Sequence, residues 1–263
     1  MMSKGKKYGM TKVAISCLKD DSSHRSELVS ELFIFDAFEI IEEDGEWYQI
    51  INQFDGYKGW IMKTHSQAID ENLYHLLEKK TTFTSKLSTK MYWNNGLHRV
   101  ARGTFLPEQG LFSSMDIDEP IIAAKEIRFL LPEQAIILSK KYLNAGYRWG
   151  GRSPMGIDCS GFVQVIFRMM NINLPRDASQ QIDCGTPVDS LTEINMGDLA
   201  FFENEKGSIT HVGIMLNGTD IIHASGTVRI DKLDREGIYN EEEKRYTHHL
   251  RLIKRLIVPK LIE

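Results

Sequence analysis

Cysteine is scarce in this chain, with Cys17, Cys159 and Cys184 the three among 263 residues. They are too few and too scattered for a disulfide framework, and no two are close enough for a structural zinc site. No apolar run approaches eighteen residues, so no membrane-spanning helix is expected, and no membrane partner. Neither charge dominates: 32 Lys and Arg face 36 Asp and Glu, a net charge of −4. That balance leaves no electrostatic footprint for nucleic acid. Also missing are His-Glu-x-x-His, a phosphate-cradling Gly-Lys-Ser/Thr loop and the nucleotide-binding glycine fingerprint, so no metal or cofactor is called for. The start, Met1 to Tyr8, is basic but lacks the apolar core of a signal peptide, and a cytoplasmic setting is the expectation. With 42% hydrophobic and 26% charged residues, the remainder is ordinary globular composition.

Residues 12–63 read as β-structure. Apolar runs at Lys12–Leu18, Leu32–Ile41, Trp47–Ile51 and Gly59–Met62 are separated by turn clusters, as in a small barrel or sandwich. Ser26–Leu32, Phe35–Trp47 and Asp55-Gly56-Tyr57-Lys58-Gly59-Trp60-Ile61 together resemble a bacterial SH3 domain. Residues 64–80 are polar with helical spacing and look like a connector. Residues 81–130 return to short β-like runs that fit a second SH3-like barrel or an elaborated linker. From Pro132 the pattern changes to helical spacing over Glu133–Leu143, with Pro132 suited to a first turn. A second helix, Cys159–Met170, follows, capped by Asp158 and closed off by Pro175. Strand-like runs then occupy Asp198–Phe202, Thr210–Leu216, Ile221–Ser225 and Val228–Leu233. Helices followed by an antiparallel sheet make an α+β layout. The expected domains are 1–70, 71–130 and 131–263.

Chemistry concentrates in the last of these. Cys159 opens a helix, where unpaired backbone amides and the positive dipole end favour thiolate and predict a lowered thiol pKa. Gly150, Gly151 and Gly161 suggest close approach of chain to the thiol. Cys17 and Cys184 read instead as small buried apolar residues, and Trp149 as a core aromatic. A cysteine nucleophile needs a base and a group to orient that base. His211 and His223 stand in strands flanking the turn Asn217-Gly218-Thr219. A three-residue loop pairs Gly213 with His223 and sets the two histidines on one face as diagonal neighbours. A two-residue loop sends them to opposite faces, and the sequence leaves both registers open. His211 lies among apolar residues, so its face is expected to be the one toward the Cys159 helix. His24, His65, His75, His98, His248 and His249 read as structural. The combination points to thiol-dependent acyl transfer, as in a cysteine peptidase.

Tyr147–Gly151, Asp158–Phe162, Leu174-Pro175-Arg176, Gly197-Asp198-Leu199, His211-Val212-Gly213-Ile214 and Ile222-His223-Ala224-Ser225 resemble the NlpC/P60 family of cell-wall peptidases. The resemblance covers about residues 132–258. It implies a papain-like catalytic domain of α+β class, preceded by one or two small SH3-like β-barrels. Cys159 is then nucleophile, His211 general base and His223 its orienting partner. Tyr147 would polarise the scissile carbonyl beside the backbone N–H of Cys159. With SH3-like domains ahead, the chain is most similar to γ-D-glutamyl-L-diamino-acid endopeptidases, which release L-Ala-γ-D-Glu from murein peptides. That likeness implies a site requiring a free amino terminus, with Asp158, Ser160, Glu27 and Tyr57 as candidates to bind it. Asp158 also reads as a plain helix cap, Glu27 as a surface charge and Tyr57 as a packing partner of Trp60. Arg176 and Asp177 form either a structural ion pair or part of the pocket border. Two rivals remain: another thiol amidase or acyltransferase on the same core, and a wall-binding protein without catalysis.

Overall fold

The structure is a computed structural model that describes residues 6–79, 82–108, 110–112, 115–117, 122–123 and 132–256. The basic start at residues 1–5 and parts of the 81–130 region lie outside them. The chain divides into two compact units, Met1–Glu126 with Trp149–Pro154, and Ile127–Arg148 with Met155–Glu263.

The first unit opens with strands β1 (Lys7–Thr11), β2 (Ile15–Lys19), β3 (Leu28–Phe33), β4 (Ala37–Asp44), β5 (Trp47–Asn52), β6 (Lys58–Met62) and β7 (Ser66–Ile69). They form one sheet in the order β3-β2-β6-β5-β4-β1-β7. Two expected runs are cut differently. The Lys12–Leu18 run begins at Ile15 and is preceded by an additional strand, β1. The Leu32–Ile41 run breaks at Phe35, whose φ of 68° takes the left-handed conformation. That conformation costs a non-glycine residue about 1–2 kcal/mol. Burial of its ring against Trp93 and Phe112 offsets the cost, with centroids 4.9 and 5.1 Å away. The polar stretch after β6 holds β7 and helix α1 (Glu71–Glu78), capped where the Asp70 carboxylate accepts from the Leu73 N–H at 2.8 Å.

Short strands follow: β8 (Thr82–Phe83), β9 (Ser88–Trp93), β10 (Gly96–Ala101), β11 (Phe105–Leu106), β12 (Asp116–Ile117) and β13 (Ile122–Ala123). β9 alternates exposed and buried, so Thr89, Met91 and Trp93 face inward. Asn94 and Asn95, both at positive φ, make the two-residue turn to β10. Met10, Ile34, Phe35 and Ala37 share one apolar cluster with Leu77, Met91, Trp93, Val100 and Leu106. Both β-regions of this unit therefore rest on common core residues. Strand β14 (Arg152–Ser153) also belongs to this unit.

The second unit begins with α2 (Pro132–Lys140), then β15 (Gly156–Ile157), α3 (Cys159–Met169) and α4 (Ala178–Gln181). Every residue of α3 is buried. Its Phe162, Val163, Ile166 and Phe167 each contribute about 1.5–3 kcal/mol by leaving water. Strands β16 (Thr186–Val188), β17 (Leu199–Glu203), β18 (Ile209–Met215), β19 (Asp220–Ser225), β20 (Thr227–Leu233), β21 (Gly237–Asn240) and β22 (Arg245–Arg255) complete the unit. They run β16-β22-β17-β18-β19-β20-β21, and β21 also pairs with β22, closing β17 to β22 into a six-stranded barrel. Ala200, Phe202, Met215, Ile221, Leu233, Ile238 and Ile253 pack together inside it. The fold class is thus mixed helix and strand, as expected. Cys17 and Cys184 are only half-buried, against the expectation of core positions.

Candidate active site

Cys159 is the first residue of α3, and the Asp158 carboxylate caps that helix by accepting from the Gly161 N–H at 2.7 Å. Arg176 holds the same carboxylate through both guanidinium ends, at 3.0 Å to Oδ1 and 2.5 Å to Oδ2. It also donates to Ser160 Oγ at 2.8 Å. Asp158, Ser160 and Arg176 are all buried. Removing one member of such a pair strands a buried charge, at about 3–5 kcal/mol. Arg176 therefore pairs with Asp158 across the helix start, an arrangement not foreseen from its neighbour Asp177.

The thiol lies against β18 on either side of His211. Its Sγ is 3.9 Å from the Thr210 carbonyl, and the Val212 N–H donates to it. Burial, then the nearby Asp158 charge, pushes the Cys159 thiol up to about 12, despite N–H donors at Val212 and Ser160 and the Arg176 charge. The expected lowering at a helix N-terminus is reversed. Desolvation of a buried thiolate outweighs a partial dipole charge whose effect is of order 0.3–1 kcal/mol.

The hairpin resolves to the three-residue register. Gly213 pairs with His223, Ile214 with Ile222 and Met215 with Ile221, and Leu216 N–H donates to the Asp220 carbonyl. His211, two residues before Gly213, is the diagonal neighbour of His223. His211 Nε2 lies 2.8 Å from His223 Nδ1. The register needs glycine at 213, where a Cβ would come within 2.7 Å of Ile221 Cδ1 and 2.9 Å of His223 Cβ. Strand alternation sets His211 on the face of Gly213 and Met215, toward the barrel interior rather than toward α3.

A second diagonal continues the row. His223 pairs with Arg229 on β20, and His223 Nε2 lies 3.0 Å from Asp231 Oδ2. Burial, then His223 and His248, hold the His211 imidazole well below its usual pKa. His248 on β22 stacks on His211 with centroids 4.0 Å apart, and burial lowers it to about 4. Neither Asp231 nor His248 was singled out from the sequence. The available signal for Asp231 was a carboxylate two residues before the inward-facing Leu233. For His248 there was none, because β22 meets this strand group only in the closed barrel.

His211, His223 and His248 bring ring nitrogens within 4.8 Å of one another, the spacing of a metal-ligand set. Their orientation suits a metal poorly. His211 and His248 lie within 26° of parallel, so their in-plane lone pairs do not converge. Both nitrogens of His223 are already engaged.

Tyr147 is partly exposed, and its N–H donates to the Gly226 carbonyl at 2.8 Å. Burial, then the Cys159 and Asp158 charges, raises its hydroxyl pKa, so its proton is retained. Trp149 is 60% exposed and is not a core residue; its indole N–H donates to Glu27 at 2.5 Å within the N-terminal unit. Gly150 makes its close approach to Leu28, whose carbonyl oxygen lies 2.4 Å from a built Cβ, not to the thiol. Tyr57 packs beside Leu18, Leu32, Phe38, Ile50 and Ile61.

The family model described as NlpC/P60 matches residues 144–251, which contain the whole row from Tyr147 to His248. A γ-D-glutamyl-L-lysine dipeptidyl-peptidase of Bacillus subtilis (strain 168) is 30% identical over 222 residues, 72% of this chain and 69% of that protein. This chain belongs to the NlpC/P60 family. A probable endopeptidase NlpC of Escherichia coli (strain K12) is 39% identical over 95 residues, 35% of this chain and 61% of that protein. In fold, an NlpC/P60 family protein from Bacillus cereus ATCC 10987 superposes with a TM-score of 0.79 at 19% identity, over 95% of this chain and 100% of that one. As an NlpC/P60 member, the chain is a cysteine peptidase.

Proposed function

We propose that this NlpC/P60 peptidase hydrolyses the bond between γ-D-glutamate and an L-diamino acid in murein peptides with a free N-terminal L-Ala. The observation that carries the catalytic half is the 2.8 Å His211–His223 bond on a strand whose Thr210 carbonyl and Val212 N–H flank the Cys159 thiol. Cys159 attacks the γ-amide carbonyl while His211 takes its proton. With the thiol pKa raised and that of the imidazole lowered, the pair rests neutral, and proton transfer accompanies attack. Tyr147 O–H and the Cys159 N–H stabilise the oxyanion. His211 then protonates the departing amine, and water releases the acyl group.

The substrate half is supported by the match to the Bacillus subtilis relative, which runs over 222 residues and so well beyond a catalytic domain. The β-rich residues before 131 are read as SH3-like, in line with the antiparallel sheet at residues 7–69. Asp158 and Ser160, adjacent to the nucleophile, are assigned to the substrate ammonium, with Arg176 tempering the Asp158 charge. For Glu27 and Tyr57 the support is the sequence resemblance. A requirement for a free amine suits released fragments, and recycling inside the cell is the setting proposed. Among the described residues no helix is long and apolar enough to cross a membrane.

The test is mass spectrometry of L-Ala-γ-D-Glu-meso-diaminopimelate and its L-Lys counterpart, free or N-acetylated, with wild type and Cys159→Ala. Release of L-Ala-γ-D-Glu by wild type from the free-amine peptides alone is expected. Cleavage of acetylated peptide removes the amine requirement, and no cleavage of either overturns the substrate assignment.

A further inference from the structure

We propose that Asp231, held by Arg229, is a positioning residue that selects the ring tautomers of His223 and His211. The inference rests on the reading of Cys159 and His211 as nucleophile and base. Asp231 Oδ2 lies 3.0 Å from His223 Nε2, and a carboxylate only accepts, so that nitrogen carries a proton. In a neutral His223, Nδ1 is then the acceptor. The 2.8 Å contact to His211 Nε2 must be donated by His211. The lone pair of His211 is thereby placed on Nδ1, the nitrogen that must receive the thiol proton. The opposite tautomers would donate from His223 Nδ1 and put a proton on His211 Nδ1, leaving no base there.

Arg229 keeps Asp231 in its accepting form. Its Nε lies 2.8 Å from Oδ2, and its Nη2 donates to Oδ1 at 3.1 Å. Arg229 is itself tied to Glu242 at 3.2 Å. Burial alone would raise the Asp231 carboxyl, but bonds from His223 and Arg229 outweigh it and hold it below the usual value. The arrangement repeats one geometric step twice, from β18 to β19 and from β19 to β20, each step joining diagonal positions on the inward face. His248, the other titratable group on this row, meets His223 edge-on with centroids 5.7 Å apart.

A buried ion pair with no bearing on the chemistry would fix structure but not proton positions. The experiment therefore reads both. Nitrogen-15 shifts of the histidine rings are recorded for full-length wild type, Asp231→Asn and Arg229→Gln, with hydrolysis kinetics and thermal unfolding on each. Wild type is expected to carry the ring proton on Nε2 of both His211 and His223. In Asp231→Asn the amide can donate to His223 Nε2, which moves the His211 proton to Nδ1. Its kcat is expected to fall about 10–100-fold with KM within about twofold, the scale seen when an outer orienting group is lost. Arg229→Gln retains the carboxylate, so the ring protons stay in place and kcat falls less. A His211 proton on Nδ1 in wild type overturns the proposal, as does a folded Asp231→Asn with unchanged kcat. If wild type cleaves no murein peptide, the rate of Cys159 alkylation by iodoacetamide replaces kcat. The expected slowing in Asp231→Asn then upholds the positioning role while the substrate assignment alone fails.

Discussion

Two β-structures in this chain are lined very differently. In the N-terminal sheet, Leu18, Leu32, Phe38, Ile50 and Ile61 pack as an apolar cluster, and buried polar side chains bond to backbone or a near neighbour: Glu31 accepts from the Arg152 N–H, Asp36 from the Phe33 N–H, and Asn52 donates to Asp55. The closed barrel has an apolar end too, with Met215, Ile221 and Leu233 on β18, β19 and β20. Two to four residues along the same strand faces stand His211, His223 and Asp231. Burying those groups costs stability unless each finds a partner, and here each partner is the next member of the row. The barrel thus carries a connected, buried hydrogen-bonded line from His211 through His223 to Asp231.

The largest effect should fall on the polar end. Cys159→Ala is expected to lower hydrolysis by about 10⁴-fold or more, with a thermal midpoint within about 2 °C of wild type because removing a single sulfur atom leaves little cavity. Retained hydrolysis in that variant would break the contrast outright. At the apolar end the order reverses. Ile221→Ala and, in the N-terminal sheet, Ile50→Ala should each cost about 2–5 kcal/mol in urea unfolding. Ile50→Ala should leave kcat unchanged. Gly213→Ala joins the two ends, since its Cβ would press on both Ile221 and His223. It should cost about 1–3 kcal/mol, and a drop in kcat with unchanged KM would mark the displaced His223.

The smallest effect is a pH dependence of stability. Burial lowers His211 well below its usual pKa and His248 to about 4, while unfolded imidazoles titrate near 6.5. Below that pH the unfolded chain takes up protons that the folded chain refuses. Stability is therefore complete above about pH 6.5 and declines as pH falls toward 4. His65 in the N-terminal unit shifts in the same direction, chiefly through burial. Thermal midpoints measured from pH 7 to 4.5 should fall for wild type and fall less for His248→Gln. Equal slopes for the two would show that His248 contributes nothing to the acid response.

Local patterns carried much of the reading. Asp158 before Cys159 is legible as a cap because a short carboxylate at that spacing reaches the Gly161 N–H. Alternation in β9 and the Asn94-Asn95 turn are equally local. What escaped were conflicts between local preference and burial. Phe35 takes a left-handed conformation because its ring is buried, and Trp149 leaves the core because its indole finds Glu27. The thiol pKa rises because enclosure by β18 outweighs the helix dipole.

The sequence by itself singled out Cys159, His211 and His223, gave their order along the chain, and narrowed the hairpin to two registers. These follow from chain-local chemistry: a cap, a helix start, and strands flanking a turn. Only the tertiary structure decided the register, the face His211 takes, and the partners Arg176, Asp231 and His248. Those residues lie far from Cys159 in the chain, or on strands whose facing is set by closure of the barrel. A hydrogen bond between distant side chains has no periodicity to betray it, and it exists only once the strands that carry it have paired.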